Sequence, residues 1–212
     1  MRLQSAITQP KIGTIVVAGV REDWFPTSIW YFDVEDCQDL NQRLLVAIEE
    51  ERKKDSKGMG DRSTVLGWHS QDMLHQNEAF KDFVSYAIAN VLEVAQFNRW
   101  DLSKVQLNLL NCWANINGKF AYNVVHNHPQ SLLSGVYYVQ TSENCGNIFF
   151  KDPRDVAVMM APPVDEYTVW TFQKIVYQPK AGRMLIFPSW LSHGVEPNLS
   201  DEDRVCLSFN VG

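Results

Sequence analysis

No stretch of this chain approaches the ~20 consecutive apolar residues that cross a bilayer. The first twenty residues carry charges at Arg2 and Lys11 and do not read as a secretory leader. Cysteine is sparse and scattered: Cys37, Cys112, Cys145 and Cys206 form no CxxC pair. That argues against a zinc ribbon or a disulfide scaffold and fits reduced thiols in a cytoplasmic setting. Positive charge is also short, with a net charge of −6 and a pI of about 5.3. Such a surface repels nucleic acid, so a protein that coats DNA or RNA is not expected. There is no repeat, low-complexity tract or linker to divide the 212 residues. One domain over 1–212 is expected, with N-terminal strands and supporting helices over 1–104 and a jelly-roll core over 105–212.

What is present is globular: 45% of the residues are hydrophobic and 21% charged. Aromatics reach 12%, seven of them Trp, which suits a β-rich core around a ligand cavity. Strands are expected at Ile12–Val20 and Ser28–Phe32 from their β-branched and aromatic runs. Leu40, Leu44 and Ile48 recur at helical spacing and predict an amphipathic helix over Asp39–Lys54, followed by a polar loop over 55–60. The most regular helical pattern is Asn77–Phe97, with Asn77 as N-cap and Phe80, Val84, Ala87, Val91 and Val94 on one face.

From Val105 the period changes to two, placing Val105, Leu107, Leu109, Asn111 and Trp113 on one face of a strand. Asn117 and Gly118 then signal a hairpin into 119–128. Short strands follow at Leu133–Val139, Asn147–Phe150, Val156–Met160, Thr168–Tyr177, Arg183–Phe187 and Arg204–Val211. The layout is α+β but mainly β: a double-stranded β-helix (jelly roll, cupin-like) with supporting N-terminal helices.

Two of the five histidines, His126 and His128, stand two apart. In an extended chain such residues share a face, so both imidazoles converge on one point. Imidazole is the commonest protein metal ligand. His193, just ahead of a Gly-Val pair, offers a third. Asp152, and next Glu196, are the alternative carboxylates for completing the site. Asn111 and Asn115 are polar residues near the metal block, His69 is a candidate for the substrate entrance, and His75 reads as a surface or helix-start residue. On the last strand Arg204, Cys206, Ser208 and Asn210 share one face, and Leu207 and Phe209 the other.

These motifs resemble the Fe(II)/2-oxoglutarate-dependent dioxygenases: a His-x-acid pair, a distal His, and an Arg about ten residues later. The elements that carry the resemblance are His126 and His128, the strand from Gly135 to Val139, Gly146 to Phe150, Pro179 to Pro188, His193 and Arg204. The finer likeness, through Trp24 to Thr27, the His-x-His-Pro block and Asp152 to Arg154, is to a little-characterised branch of 2OG-Fe(II) oxygenases. The resemblance implies that His126, His128 and His193 bind Fe(II), with His128 standing where the family has a carboxylate. It implies further that Arg204 grips the distal carboxylate of 2-oxoglutarate, helped by Tyr138 and Ser208, because Cys206 occupies the position of the usual serine. The activity implied is hydroxylation of a small molecule or peptide with O2. Two other readings stay open: a three-histidine cupin-type dioxygenase without 2-oxoglutarate, and a non-catalytic metal- or ligand-binding jelly roll. A free strand edge or helix face would allow a homodimer.

Overall fold

The computed structural model describes residues 20–60 and 62–212. Apart from Val20, the strand expected at 12–20 lies outside them. Among the described residues, eleven strands form two sheets. The larger has six strands in the order β1-β9-β6-β11-β4-β3: β1 (Trp30–Asp33), β3 (Trp68–His69), β4 (Leu109–Asn117), β6 (Leu133–Gln140), β9 (Arg183–Pro188) and β11 (Arg204–Val211). The smaller has five in the order β2-β5-β10-β7-β8: β2 (Thr64–Val65), β5 (Tyr122–His126), β7 (Ile148–Lys151), β8 (Lys174–Tyr177) and β10 (His193–Val195). The ladders are antiparallel, and the two sheets face one another as a double-stranded β-helix.

Alternation sorts each central strand into two cores. From β6, β9 and β11 the side chains of Tyr137, Val139, Met184, Ile186, Leu207 and Phe209 point outward. They pack against Leu44 and Ile48 of α1 (Gln38–Lys54) and Phe83, Ala87, Val91 and Val94 of α2 (Lys81–Phe97). The helical stripes are thus spent on covering one sheet, where each fully buried aliphatic side chain contributes about 1.5–3 kcal/mol. Tyr137 anchors the contact by donating to the buried Asn41 Oδ1 of α1 at 2.6 Å. Val136, Tyr138, Leu185, Phe187 and Cys206 point the other way, toward Ile148 and Phe150 of the smaller sheet.

Four local expectations need correction. The turn at Gly118 is real (Ala121 N–H donates to the Gly118 carbonyl), but β4 and β5 do not form a hairpin. β4 pairs with β11 and β3, and β5 with β10 and β2, so the turn carries the chain from one sheet to the other. The two-residue phase from Val105 breaks at Leu110. Asn210 pairs with Asn111 but Val211 pairs with Leu109, so Leu110 is the extra residue of a bulge. Leu107 and Leu109 consequently join the helix-side core, while Asn111 and Trp113 face the site. Val156–Met160 is not a strand. α3 (Asp155–Met159) replaces it, with Val156 and Met159 exposed, because β-branched residues form strands only where a neighbouring strand and a core face receive them. Of Thr168–Tyr177 only β8 is extended. Thr168 and Thr171 close a turn through their own hydroxyls instead.

The helices fall close to expectation. α1 begins one residue early, and Asn77 does act as a cap, its Oδ1 accepting from Ala79 N–H at 3.0 Å. The first turn it caps is a 3-10 turn (Glu78–Phe80) that runs into α2.

Candidate metal centre

Three imidazoles meet at one end of the space between the sheets. His126 is the last residue of β5 and His193 the first of the neighbouring β10, and the two are directly paired across the ladder. His128 lies two residues past the end of β5, its backbone N–H held by the Ser189 carbonyl at 2.9 Å. The ring centroids are 4.4 Å apart for His126 and His193, 4.9 Å for His126 and His128, and 5.3 Å for His128 and His193. One ligand nitrogen from each lies within 4.8 Å of the others.

Two of the rings are oriented by the backbone. His126 Nδ1 bonds the Val124 carbonyl at 2.7 Å, and His193 Nδ1 bonds the Leu191 carbonyl at 2.9 Å. Each contact fixes the tautomer with Nδ1–H and leaves Nε2 as the free lone pair, the usual arrangement behind a metal-bound histidine. Burial disfavours the imidazolium in all three. It lowers His126, takes His128 to about 4 with the His126 ring adding to the effect, and takes His193 to about 3. The cluster is therefore neutral near pH 7, the protonation state that coordinates a cation. Three neutral nitrogen donors suit Fe(II) and other borderline divalent metals.

From the imidazoles a cavity runs inward between the sheets, lined by Trp113, Asn115, Tyr138, Arg204, Cys206 and Ser208 among others. Arg204 is only 2% exposed. Its Nη1 donates to the carbonyls of Cys145 and Gly146, at 2.6 and 3.1 Å, and among the described residues no carboxylate pairs with it. Tyr138 is buried on the adjacent strand, paired with Cys206, and burial raises its phenol above the ordinary range. Burial likewise raises the Cys206 thiol. A cavity with imidazoles at one end, an uncompensated guanidinium at the other and hydroxyls between fits a divalent metal chelated by a small dicarboxylate. A second, outer cleft of about 400 Å3 opens on the other side of the imidazoles, past His69, Asp72, Asn111, Asn127 and Asn210.

All six expected site residues thus line one cavity. Asn115 lies in it too, and Asn111 and His69 in the outer cleft. His75 lines neither. Asp152 is engaged by Arg154, whose backbone N–H and guanidinium both donate to it, and Glu196 is taken by Asn147 and Lys174. Neither carboxylate belongs to the imidazole cluster. Sequence reasoning passed over Trp113, whose ring contacts both His69 and His128. Its phase with Asn111 and Asn115 was the available signal.

Comparison with known proteins bears first on the fold and then, over part of the chain, on the family. The chain is similar in structure to a Pseudomonas putida prolyl-4-hydroxylase, at 15% identity, 87% of this chain, 92% of that one and a TM-score of 0.60. It is similar at 10% identity to a Trichoplax adhaerens prolyl hydroxylase solved with a hypoxia inducible factor peptide fragment (86% and 82% covered, TM-score 0.60). At 14% identity it is similar to HygX from Streptomyces hygroscopicus, solved with nickel and 2-oxoglutarate (88% and 82% covered, TM-score 0.57). The likeness is one of fold, the double-stranded β-helix. Residues 111–210, which contain all six expected site residues, match the family model described as "Putative 2OG-Fe(II) oxygenase". No curated protein matches the chain by sequence.

Proposed function

We propose that the protein is an Fe(II)- and 2-oxoglutarate-dependent dioxygenase that hydroxylates a small-molecule or peptide substrate with O2. The observation that carries the reading is Arg204: a buried cation, facing the cavity that begins at three imidazoles, with no carboxylate partner among the described residues. An unpaired buried charge costs several kcal/mol, and an anionic ligand in the cavity would offset it. His126, His128 and His193 would hold the metal. Arg204, with Tyr138 and Ser208 as hydroxyl donors, would hold the distal carboxylate of 2-oxoglutarate. When bound, iron and 2-oxoglutarate supply the oxidising chemistry, with O2 as the terminal oxidant. Three neutral ligands leave the full 2+ charge on the metal, which favours an anionic co-ligand. The buried walls of Val136, Ile148 and Phe187 limit water around the reacting groups. The substrate would enter by the outer cleft.

The reading takes 1–212 as one domain, with 105–212 as the catalytic core and a homodimer as its possible assembly. It also places the protein in the cytoplasm. In support of that setting, all four cysteines are free and no described helix is long and apolar enough to cross a membrane.

The test is an anaerobic thermal-shift titration with Fe(II), with and without 2-oxoglutarate, on wild type and Arg204→Ala. Ligands of the folded state raise the melting point by mass action. A rise with iron, a further rise with 2-oxoglutarate only when iron is present, and loss of the second rise in Arg204→Ala are expected. Iron stabilisation without any response to 2-oxoglutarate would overturn the cosubstrate.

A further inference from the structure

The three imidazoles are not held alike. His126 and His193 sit on paired strands, and each ring is fixed by a backbone carbonyl two residues earlier. His128 lies beyond the end of β5, and neither of its ring nitrogens has a hydrogen-bond partner among the described residues. Besides the other two imidazoles, the aromatic ring it lies against is Trp113 on β4, at 5.7 Å between centroids and 48° between planes. Trp113 in turn stacks nearly parallel on His69, at 5.5 Å and 10°. His69 is buried on β3, its Nδ1 bonded to the Ser70 carbonyl at 2.7 Å, and the β3–β4 ladder sets it opposite Asn115. The His69 ring is therefore fixed, the Trp113 ring rests against it, and the His128 ring rests against Trp113.

We propose that Trp113 and His69 are positioning residues for the third metal ligand: a ring relay from the larger sheet that fixes the orientation of His128 in place of the backbone bond its two partners have. This rests on the reading that the three imidazoles bind a divalent metal. Outer partners of metal-bound histidines are usually hydrogen-bond acceptors, and their loss weakens metal binding about 10–100-fold. Ring contacts are softer and less directional, so the lower end of that range is expected. The metal site then has two fixed ligands and one whose setting depends on packing at the floor of the outer cleft.

The probe is Co(II), titrated anaerobically into the full chain, with visible absorption reporting both affinity and coordination geometry. Trp113→Leu should raise the Co(II) dissociation constant about tenfold and alter the d–d bands. Trp113→Phe, which keeps a ring, should restore both. His69→Gln should move both in the same direction as Trp113→Leu. In a His128→Ala background Trp113→Leu should cause no further loss, because the ligand it positions is gone. An unchanged affinity and spectrum in Trp113→Leu, or the same loss with and without His128, overturns the relay. If Trp113→Leu fails to fold by circular dichroism, His69→Gln decides alone, an unchanged spectrum overturning the relay. Failure of the metal reading looks different: Co(II) would not bind wild type, or would bind His126→Ala as well, and the relay falls with it.

Discussion

His126 and His193 face one another across the β5–β10 ladder, Cα partners in register, with their ring centroids 4.4 Å apart. A cross-strand pair at the meeting of two strand ends is about as rigid a platform as a sheet offers. Neither ring depends on loop conformation for its place, so the metal should be lost with either one.

Replacing His126 or His193 with Ala is expected to weaken Fe(II) binding by more than about a hundredfold, beyond the range seen for outer partners. The protein should still fold, since the site lies at the rim of the inter-sheet core. Anaerobic metal quantification alongside circular dichroism checks both statements. Normal iron content in either variant would refute the assignment.

Metal binding should release almost no protons at neutral pH. The imidazoles lie below their ordinary value, His128 at about 4 and His193 at about 3, so they are already deprotonated at pH 7. The sign follows: protons compete only when the solution approaches those values, so affinity holds through neutral pH and is lost as pH falls through the acidic range. Calorimetric titration with Co(II) in buffers of different ionisation enthalpy reads the proton count. A release near one proton per metal at pH 7 would contradict it.

Cys206→Ser should tighten 2-oxoglutarate binding about two- to tenfold, the effect of one added hydrogen bond of ~0.5–1.5 kcal/mol. Cys206 faces the cavity beside Tyr138 and Arg204, where burial keeps it a thiol and hence a poor donor. Equilibrium binding of 2-oxoglutarate to the Co(II) form measures the change, and weaker binding would count against this end of the cavity as the carboxylate site.

Gly135→Ala should cost about 1–3 kcal/mol, the usual penalty for overpacking a filled core. A Cβ at Gly135 would overlap the Phe209 ring on the neighbouring strand, and Phe209 is itself wedged against Phe83 of α2. Urea denaturation of the two proteins gives the difference. Equal stability would show that Phe209 has room to move.

The site was legible where it follows local periodicity. Two-residue alternation along 204–211 set Arg204, Cys206 and Ser208 on one face, and that face lines the cavity. The spacing of His126 and His128 put both rings at one place even though β5 ends between them. What escaped was decided by pairing at a distance. The bulge at Leu110 exists because β11 runs alongside, and the crossing at Gly118 because β5 finds β10 rather than β4. The exposed α3 looked like a strand because its Val-rich composition carries no record of lacking a neighbour. The relay through Trp113 was invisible for a related reason: aromatic rings disclose their partners only when the sheets have closed.

Arg204 is gripped by main-chain carbonyls, those of Cys145 and Gly146, and among the described residues by no side chain. Its seat is therefore part of the path of the chain. Substitutions at position 145 that keep the turn would leave those two oxygens in place. Gly146 is the exception, because at φ +86° it brings the backbone to where any side chain would collide with the Glu196 carbonyl and crowd the guanidinium at 2.9 Å. A single glycine, remote in sequence from every ligand, thereby becomes the hinge pin on which the charge of the cavity turns.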